Sequence, residues 1–171
     1  MKIPLRSFGS VIACLLFAAS LLAAADTLKN LLLPTAQSTS WQFEETDDAK
    51  GALKIEDSAL ALTVSKVDGT DWHVQLYQLG LDLKDGKEYV VTFQAKASAK
   101  RSTQVYAGVN EDDYHAIGLD EVIDLTPEWK NFKFTFKAEG AVVKNNRLGF
   151  LVGQETGTVW IKDVVMAATG K

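Results

Sequence analysis

Ten consecutive residues, Glu88 to Ala97, alternate without a break. Tyr89, Val91, Phe93, Ala95 and Ala97 fall on one side; Val90, Thr92, Gln94 and Lys96 fall on the other. A period of two is a strand with one face on a core and one toward water. Its apolar side demands a second layer to cover it. Further β-like runs fall at Trp41 to Glu45, Ala52 to Glu56, Ala59 to Lys66, Trp72 to Leu79, Thr103 to Asn110, Tyr114 to Leu119, Trp129 to Ala138, Arg147 to Gly153 and Thr158 to Met166. Asp68-Gly69, Asp85-Gly86, Asn145-Asn146 and Thr156-Gly157 punctuate them as turn signals. No segment carries a long helical period. Many short strands between turns mean an all-β sandwich or barrel.

The first 25 residues read as a targeting segment. Lys2 and Arg6 form a positive start, Val11 to Leu22 an apolar stretch, and Ala23-Ala24-Ala25 a small-residue cleavage site. The apolar run is too short and too poorly flanked for a membrane span. A rival reading takes Val11-Ile12-Ala13-Cys14 as a lipoprotein box, which would strand Leu15 to Ala25 after the cut. On the first reading the protein is secreted, extracellular or periplasmic, and residues 26–171 form one domain. Asn30 to Pro34 is a candidate edge strand and Thr35 to Ser40 a polar linker. The single cysteine, Cys14, leaves with the signal, so the domain holds no disulfide. Losing Lys2 and Arg6 leaves 16 basic against 22 acidic residues, a net charge of −6. With no basic patch interleaved with aromatics, nucleic acid is excluded as a partner. Strongly anionic glycans would be repelled over much of such a surface.

Catalytic signals are poor. Two histidines, His73 and His115, cannot build a multi-histidine zinc site, and no Gly-x-Ser-x-Gly or phosphate loop is present. Paired carboxylates across a groove can cleave glycosides. Here Asp112/Asp113 and Asp120/Glu121 sit in turn-like positions and read as solvated loop charges. The chain reads as a non-enzyme.

Trp72-x-Val74-Gln75-Leu76, followed by Gly86-Lys87-x-Tyr89-x-Val91-x-Phe93-x-Ala95-Lys96-Ala97, resembles the secreted carbohydrate-binding modules of the family 4/9/22 group. VYAGVNEDDY at Val105 to Tyr114, Glu128-Trp129-Lys130 leading to Phe132, Phe134 and Phe136, Asn146 to Gly153, and Val159 to Val164 fit in the same order. The resemblance covers about Trp41 to Met166. It implies a galactose-binding-like jelly roll: two antiparallel sheets with a groove on the concave one. It assigns Trp72 to Leu79, Thr103 to Asn110 and Arg147 to Gly153 to that concave sheet. Val74, Leu76, Val105, Ala107, Val109, Leu148, Phe150 and Val152 would then face the core. His73, Gln75, Tyr77, Gln104, Tyr106, Gly108, Asn110, Arg147, Gly149 and Leu151 would face the groove. Such a face is rich in amides and aromatics where a solvated face favours Lys and Glu. Aromatic rings stack on the C–H faces of sugars and amides bond hydroxyls.

The resemblance makes Trp72 a stacking platform, Gln75 a hydroxyl ligand, and Asn110 and Tyr114 groove residues. The blander alternatives are a Trp capping the core and an ordinary turn Asn followed by a strand Tyr. Gln104 falls where some members have Arg, and Leu151 where some have Gln, which leaves the sugar open. Arg147 and Gln154 could compensate from nearby. His115 is a candidate rim contact. Trp129 reads as core, because apolar alternation follows it, and Trp160 as exposed. Asp163 shares the phase of Val159 and Ile161, so it is expected on the core side, where a carboxylate needs a partner. The resemblance offers a structural calcium held by Asp163 and by Glu44 or Glu45. The partner would be a polysaccharide or oligosaccharide, in a free-standing binder or an extracellular enzyme complex. The rival functions are a cell-envelope interaction protein on the same sandwich and a small glycan-cleaving jelly-roll enzyme.

Overall fold

A computed structural model describes residues 29–35 and 40–170. The expected targeting segment, residues 1–25, lies outside the described residues. Ten strands fold into two five-stranded antiparallel sheets. They are β1 (Gln42–Glu45), β2 (Lys50–Glu56), β3 (Ala59–Lys66), β4 (Val74–Leu81), β5 (Glu88–Ala97), β6 (Arg101–Val109), β7 (Ala116–Leu125), β8 (Lys130–Lys137), β9 (Asn146–Leu151) and β10 (Gly157–Ala168). The first sheet runs β1-β4-β9-β6-β7 and the second β2-β3-β10-β5-β8. Only the β2–β3 and β6–β7 connections stay within one sheet.

The expected two-sheet β-sandwich is therefore observed. The strand Glu88–Ala97 has the bounds that its alternation gives it, and the core lies between the sheets. Val74, Leu76, Val105, Ala107, Val109, Leu148, Phe150 and Val152 are all fully buried from the first sheet. Phe93 of β5 meets Phe150 edge-on at 5.1 Å and stacks on Phe132 of β8 at 5.1 Å. Trp41 precedes β1, buried and tilted over Phe150. Residues Asn30 to Pro34 are not an edge strand. Leu33 exchanges bonds with the Gln78 side chain on β4, and Leu31 N–H bonds the Met166 carbonyl on β10. The segment is tied to both sheets by these few side-chain and backbone bonds, not through a ladder.

Two core readings are corrected. Trp129 is exposed, because it is an odd number of residues from Phe132 and takes the opposite face of the strand line. The Lys96 and Lys162 ammonium groups lie over its ring at 5.0 and 4.3 Å. Asp163 is exposed too. A bulge in β10 between Lys162 and Val165 breaks the period of two, and Asp163 takes φ +53° within it. Its carboxylate accepts a 3.2 Å bond from Gln94 Nε2 instead of facing the core. Trp160 faces outward as its phase requires and donates Nε1–H to Glu56 at 2.9 Å.

Candidate functional site

A pocket of about 540 Å³ opens on the outer face of the first sheet. Its walls include Trp72, Gln75, Tyr77, Gln104, Tyr106, Asn110, Tyr114 and Arg147, all eight of the ligand-binding residues expected from sequence. Strand register brings them into rows. Tyr77 on β4 pairs with Gly149 on β9, which pairs with Tyr106 on β6. One row away, Glu44, Gln75, Leu151 and Gln104 align across β1, β4, β9 and β6.

Gly149 lets the floor close. A Cβ there would lie 2.5 Å from Cε1 of Tyr106, so the tyrosine ring crosses the space where a side chain would stand. From that position Tyr106 Oη donates to Gln75 Oε1 at 3.2 Å. Tyr77 Oη donates to Glu44 Oε2 at 2.8 Å, and Gln75 Nε2 reaches the same oxygen at 3.4 Å. Burial, and for Tyr77 the adjoining Glu44 carboxylate, push both phenols up to about 12. Both hydroxyls therefore stay protonated donors at neutral pH.

The two exposed aromatics come from outside the floor. Trp72 sits in a 3₁₀ turn, Asp71–His73, just before β4, and is 48% exposed. Gly153 N–H bonds the Asp71 carbonyl at 2.9 Å, an approach that any Cβ at 153 would block. Tyr114 is 53% exposed and holds φ +46°, a left-handed conformation rare for a bulky residue. The turn bond from Tyr114 N–H to the Glu111 carbonyl and a register shift between Ala107 and Gly108 accompany it. Its ring meets the Arg147 guanidinium at 4.8 Å, and the Tyr77 and Tyr106 rings meet the same group at 5.1 Å each.

Some placements differ from expectation. His73 does not face the pocket; the 3₁₀ turn rotates it away, and it is buried with Nδ1 2.7 Å from Asp68 Oδ2. That bond holds the Asp68 carboxyl below its usual range. His115 is exposed and contacts Asp113 and the Gly140 carbonyl, outside the pocket walls. Asp120 is not a loop charge but a residue of β7 lining the pocket, where it accepts from Gln104 Nε2. Ile117, Leu119, Ile123 and Leu125 carried the signal for that longer strand. Glu44 also lines the pocket.

The expected calcium pair does not come together. Glu44 stands on the first sheet and serves Tyr77 and Gln75, while Asp163 stands on the outer face of the second. These two residues do not fit a shared ion. Among the described residues, one trio of potential ligands lies within 4.8 Å, Asp47, Asp68 and His73. His73 Nδ1 is already engaged there by Asp68.

The carbohydrate binding domain family, that of modules 4 and 9, matches residues 35–156. The chain belongs to this family. No curated protein sequence matches it. Among solved structures, a family 4 carbohydrate-binding module is 24% identical with a TM-score of 0.70, covering 75% of this chain and 86% of that one. The second N-terminal cellulose-binding domain of Cellulomonas fimi β-1,4-glucanase C is 19% identical with a TM-score of 0.66, covering 87% of this chain and all of that one. The CBM22-1 xylan-binding domain of Paenibacillus barcinonensis Xyn10C is 9% identical with a TM-score of 0.55, covering 83% and 92%. At these identities the structures share the fold.

Two smaller effects are expected of this carbohydrate-binding domain. In a spectrophotometric titration of its four tyrosines, Tyr77 and Tyr106 should ionise late, near pH 12. Ionisation is then easier in the unfolded chain, with its ordinary pKa of about 10. Their contribution to stability is whole below that value and is lost as pH rises toward about 12. A normal midpoint for all four would show both phenols to be solvated. Separately, Asp163→Asn keeps a residue suited to the left-handed bulge. It should change stability by no more than ~0.5 kcal/mol, with thermal melts of both proteins indifferent to chelator. A chelator-sensitive melt that the substitution abolishes would restore Asp163 as an ion ligand.

Proposed function

We propose that this is a secreted, non-catalytic domain that holds a polysaccharide or oligosaccharide chain across the outer face of its first sheet. The observation that carries the reading is the pocket itself. Two exposed rings, Trp72 and Tyr114, stand beside a floor of Gln75, Gln104, Asn110 and Arg147. Exposed rings offer apolar faces to sugar C–H groups, and the amides offer both donors and acceptors to hydroxyls. The floor hydrogen bonds hold these groups in place before the ligand arrives, which lowers the ordering cost of binding. The cellulose-binding and xylan-binding names of the structural neighbours agree with a glycan ligand. The targeting segment supports export, and an accompanying extracellular enzyme complex fits a binder of this kind.

A glycosidase is the less favoured reading. Glu44 and Asp120 are on the edge strands β1 and β7, four strand spacings apart. That sets their strands about 19 Å apart along the sheet, wide for a carboxylate pair that works at roughly 5–10 Å. Each carboxylate is already bonded by its own neighbours, Glu44 by Tyr77 and Gln75 and Asp120 by Gln104. An interaction protein would present a flat apolar patch, which this concave mixture of aromatics and amides does not resemble. Affinity electrophoresis against a panel of soluble neutral and acidic polysaccharides tests the proposal. Retardation by at least one polymer, with no shortening of it, is expected. Free migration through every gel would overturn the reading, and release of reducing ends would make the protein an enzyme.

A further inference from the structure

Among the described residues, Arg147 is the one cation lining the pocket, against two acids, Glu44 and Asp120. It is 7% exposed. Among the described residues no carboxylate lies within 4.0 Å of it, and none of its guanidinium N–H groups meets a protein acceptor. Its Nε is buried outright without a partner. Three tyrosine rings, Tyr77, Tyr106 and Tyr114, hold the guanidinium in place. Rings attract a cation but do not neutralise it. The nearby acids are engaged elsewhere, Glu44 by Tyr77 and Gln75 and Asp120 by Gln104. Arg101, also buried, donates to the Val152 carbonyl at 2.6 Å and leaves its own Nε and Nη1 without partners, but it is not among the pocket walls, so only the unmet charge of Arg147 faces the pocket.

A buried cation left unpaired is costly, and a planar guanidinium fork matches a carboxylate with two parallel bonds. We infer that Arg147 reads a carboxylate on the glycan, so that the pocket selects a neutral-backbone polysaccharide carrying isolated uronic acid groups. This rests on the glycan-binding reading above and narrows it. The positions of the acids set the spacing. Arg147 is on β9, the central strand of the sheet, while Glu44 and Asp120 are on its two edges. One carboxylate finds the cation at the centre. A polymer with a carboxylate on every sugar also sets charges against both edge acids, and is rejected.

The test uses the purified protein in affinity gels and calorimetry. The probes are glucuronoxylan, xanthan and gum arabic, each native and with its carboxyl groups chemically reduced to alcohols. Cellulose derivatives, unsubstituted xylan and polygalacturonate run beside them. Expected is retention by at least one native uronate-bearing polymer, at least tenfold weaker after carboxyl reduction, with polygalacturonate not retained. R147Q should bind the native and reduced forms alike, and R147K should fall between, because it keeps the charge and loses the fork. Thermal melts of both variants confirm that each is folded. Equal binding of native and reduced polymers by wild type, or tightest binding to a neutral polymer or to polygalacturonate, overturns the inference and leaves glycan binding standing. Retention by none of the polymers overturns both.

Discussion

Trp72→Ala should weaken glycan binding by at least roughly tenfold while the domain stays folded. Stacking a large aromatic side chain against a sugar face contributes ~1–3 kcal/mol, and about 1.4 kcal/mol is a decade in affinity. The structure supplies the reason that folding survives. Trp72 is 48% exposed, its turn is fixed by backbone bonds from Gly153 to Asp71 and from His73 to Thr70, and the core begins two residues later at Val74. Calorimetric titration with a retained polysaccharide, beside thermal melts, measures both quantities. Unchanged affinity would place the binding surface away from Trp72. Loss of the folded state would make the ring a structural cap.

How much of this was legible in the sequence depends on what carried the information. Period-two alternation carried the strands and their faces, because a pleated strand sends successive side chains to opposite sides. Val105, Ala107 and Val109 go inward, and Gln104 and Tyr106 outward, as their phase requires. The same rule failed where the backbone leaves the pleat. A bulge reverses Asp163, a 3₁₀ turn rotates His73 off the face that Gln75 and Tyr77 share, and Trp129 lies one residue out of phase with the core side of its strand. Bulges and single turns are set by local φ values such as +53° at Asp163, and a run of apolar letters does not report them.

The pocket residues were legible for a second reason, the ordered set of motifs, but their mutual contacts were not. That Glu44 would serve Tyr77 and Gln75 rather than an ion depends on β1 pairing with β4. That Arg147 would lie against three tyrosine rings depends on β9 sitting between β4 and β6. Both are pairings between strands distant in sequence. No single segment encodes them, so a site made of cross-strand neighbours emerges only when the sheet order is known.

Gly149→Ala tests that cross-strand arrangement most severely, because it adds a single methyl group on the side of the strand that faces the ligand. The new Cβ would stand 2.5 Å from Cε1, 2.7 Å from Cζ and 2.8 Å from Oη of Tyr106. None of these separations is tolerable, so the ring must move. It is buried, with core residues Val105 and Ala107 on either side of it in β6. Its free direction is outward into the pocket, where it takes the ligand's space. Moving also breaks the 3.2 Å bond to Gln75 and removes one of the rings around Arg147. Overpacking of this kind costs ~1–3 kcal/mol of stability. Binding should fall further than in Trp72→Ala, since the obstruction and the lost floor contacts add to each other. Pairing the change with Tyr106→Ser makes the test specific. Removing the ring relieves the clash, so the double variant should recover thermal stability relative to Gly149→Ala alone. Tyr106→Phe, which keeps the ring and loses only the bond to Gln75, should bind with a much smaller deficit. A Gly149→Ala protein that melts and binds like wild type would mean that Tyr106 does not cross Gly149, and the floor of the pocket would have to be rebuilt.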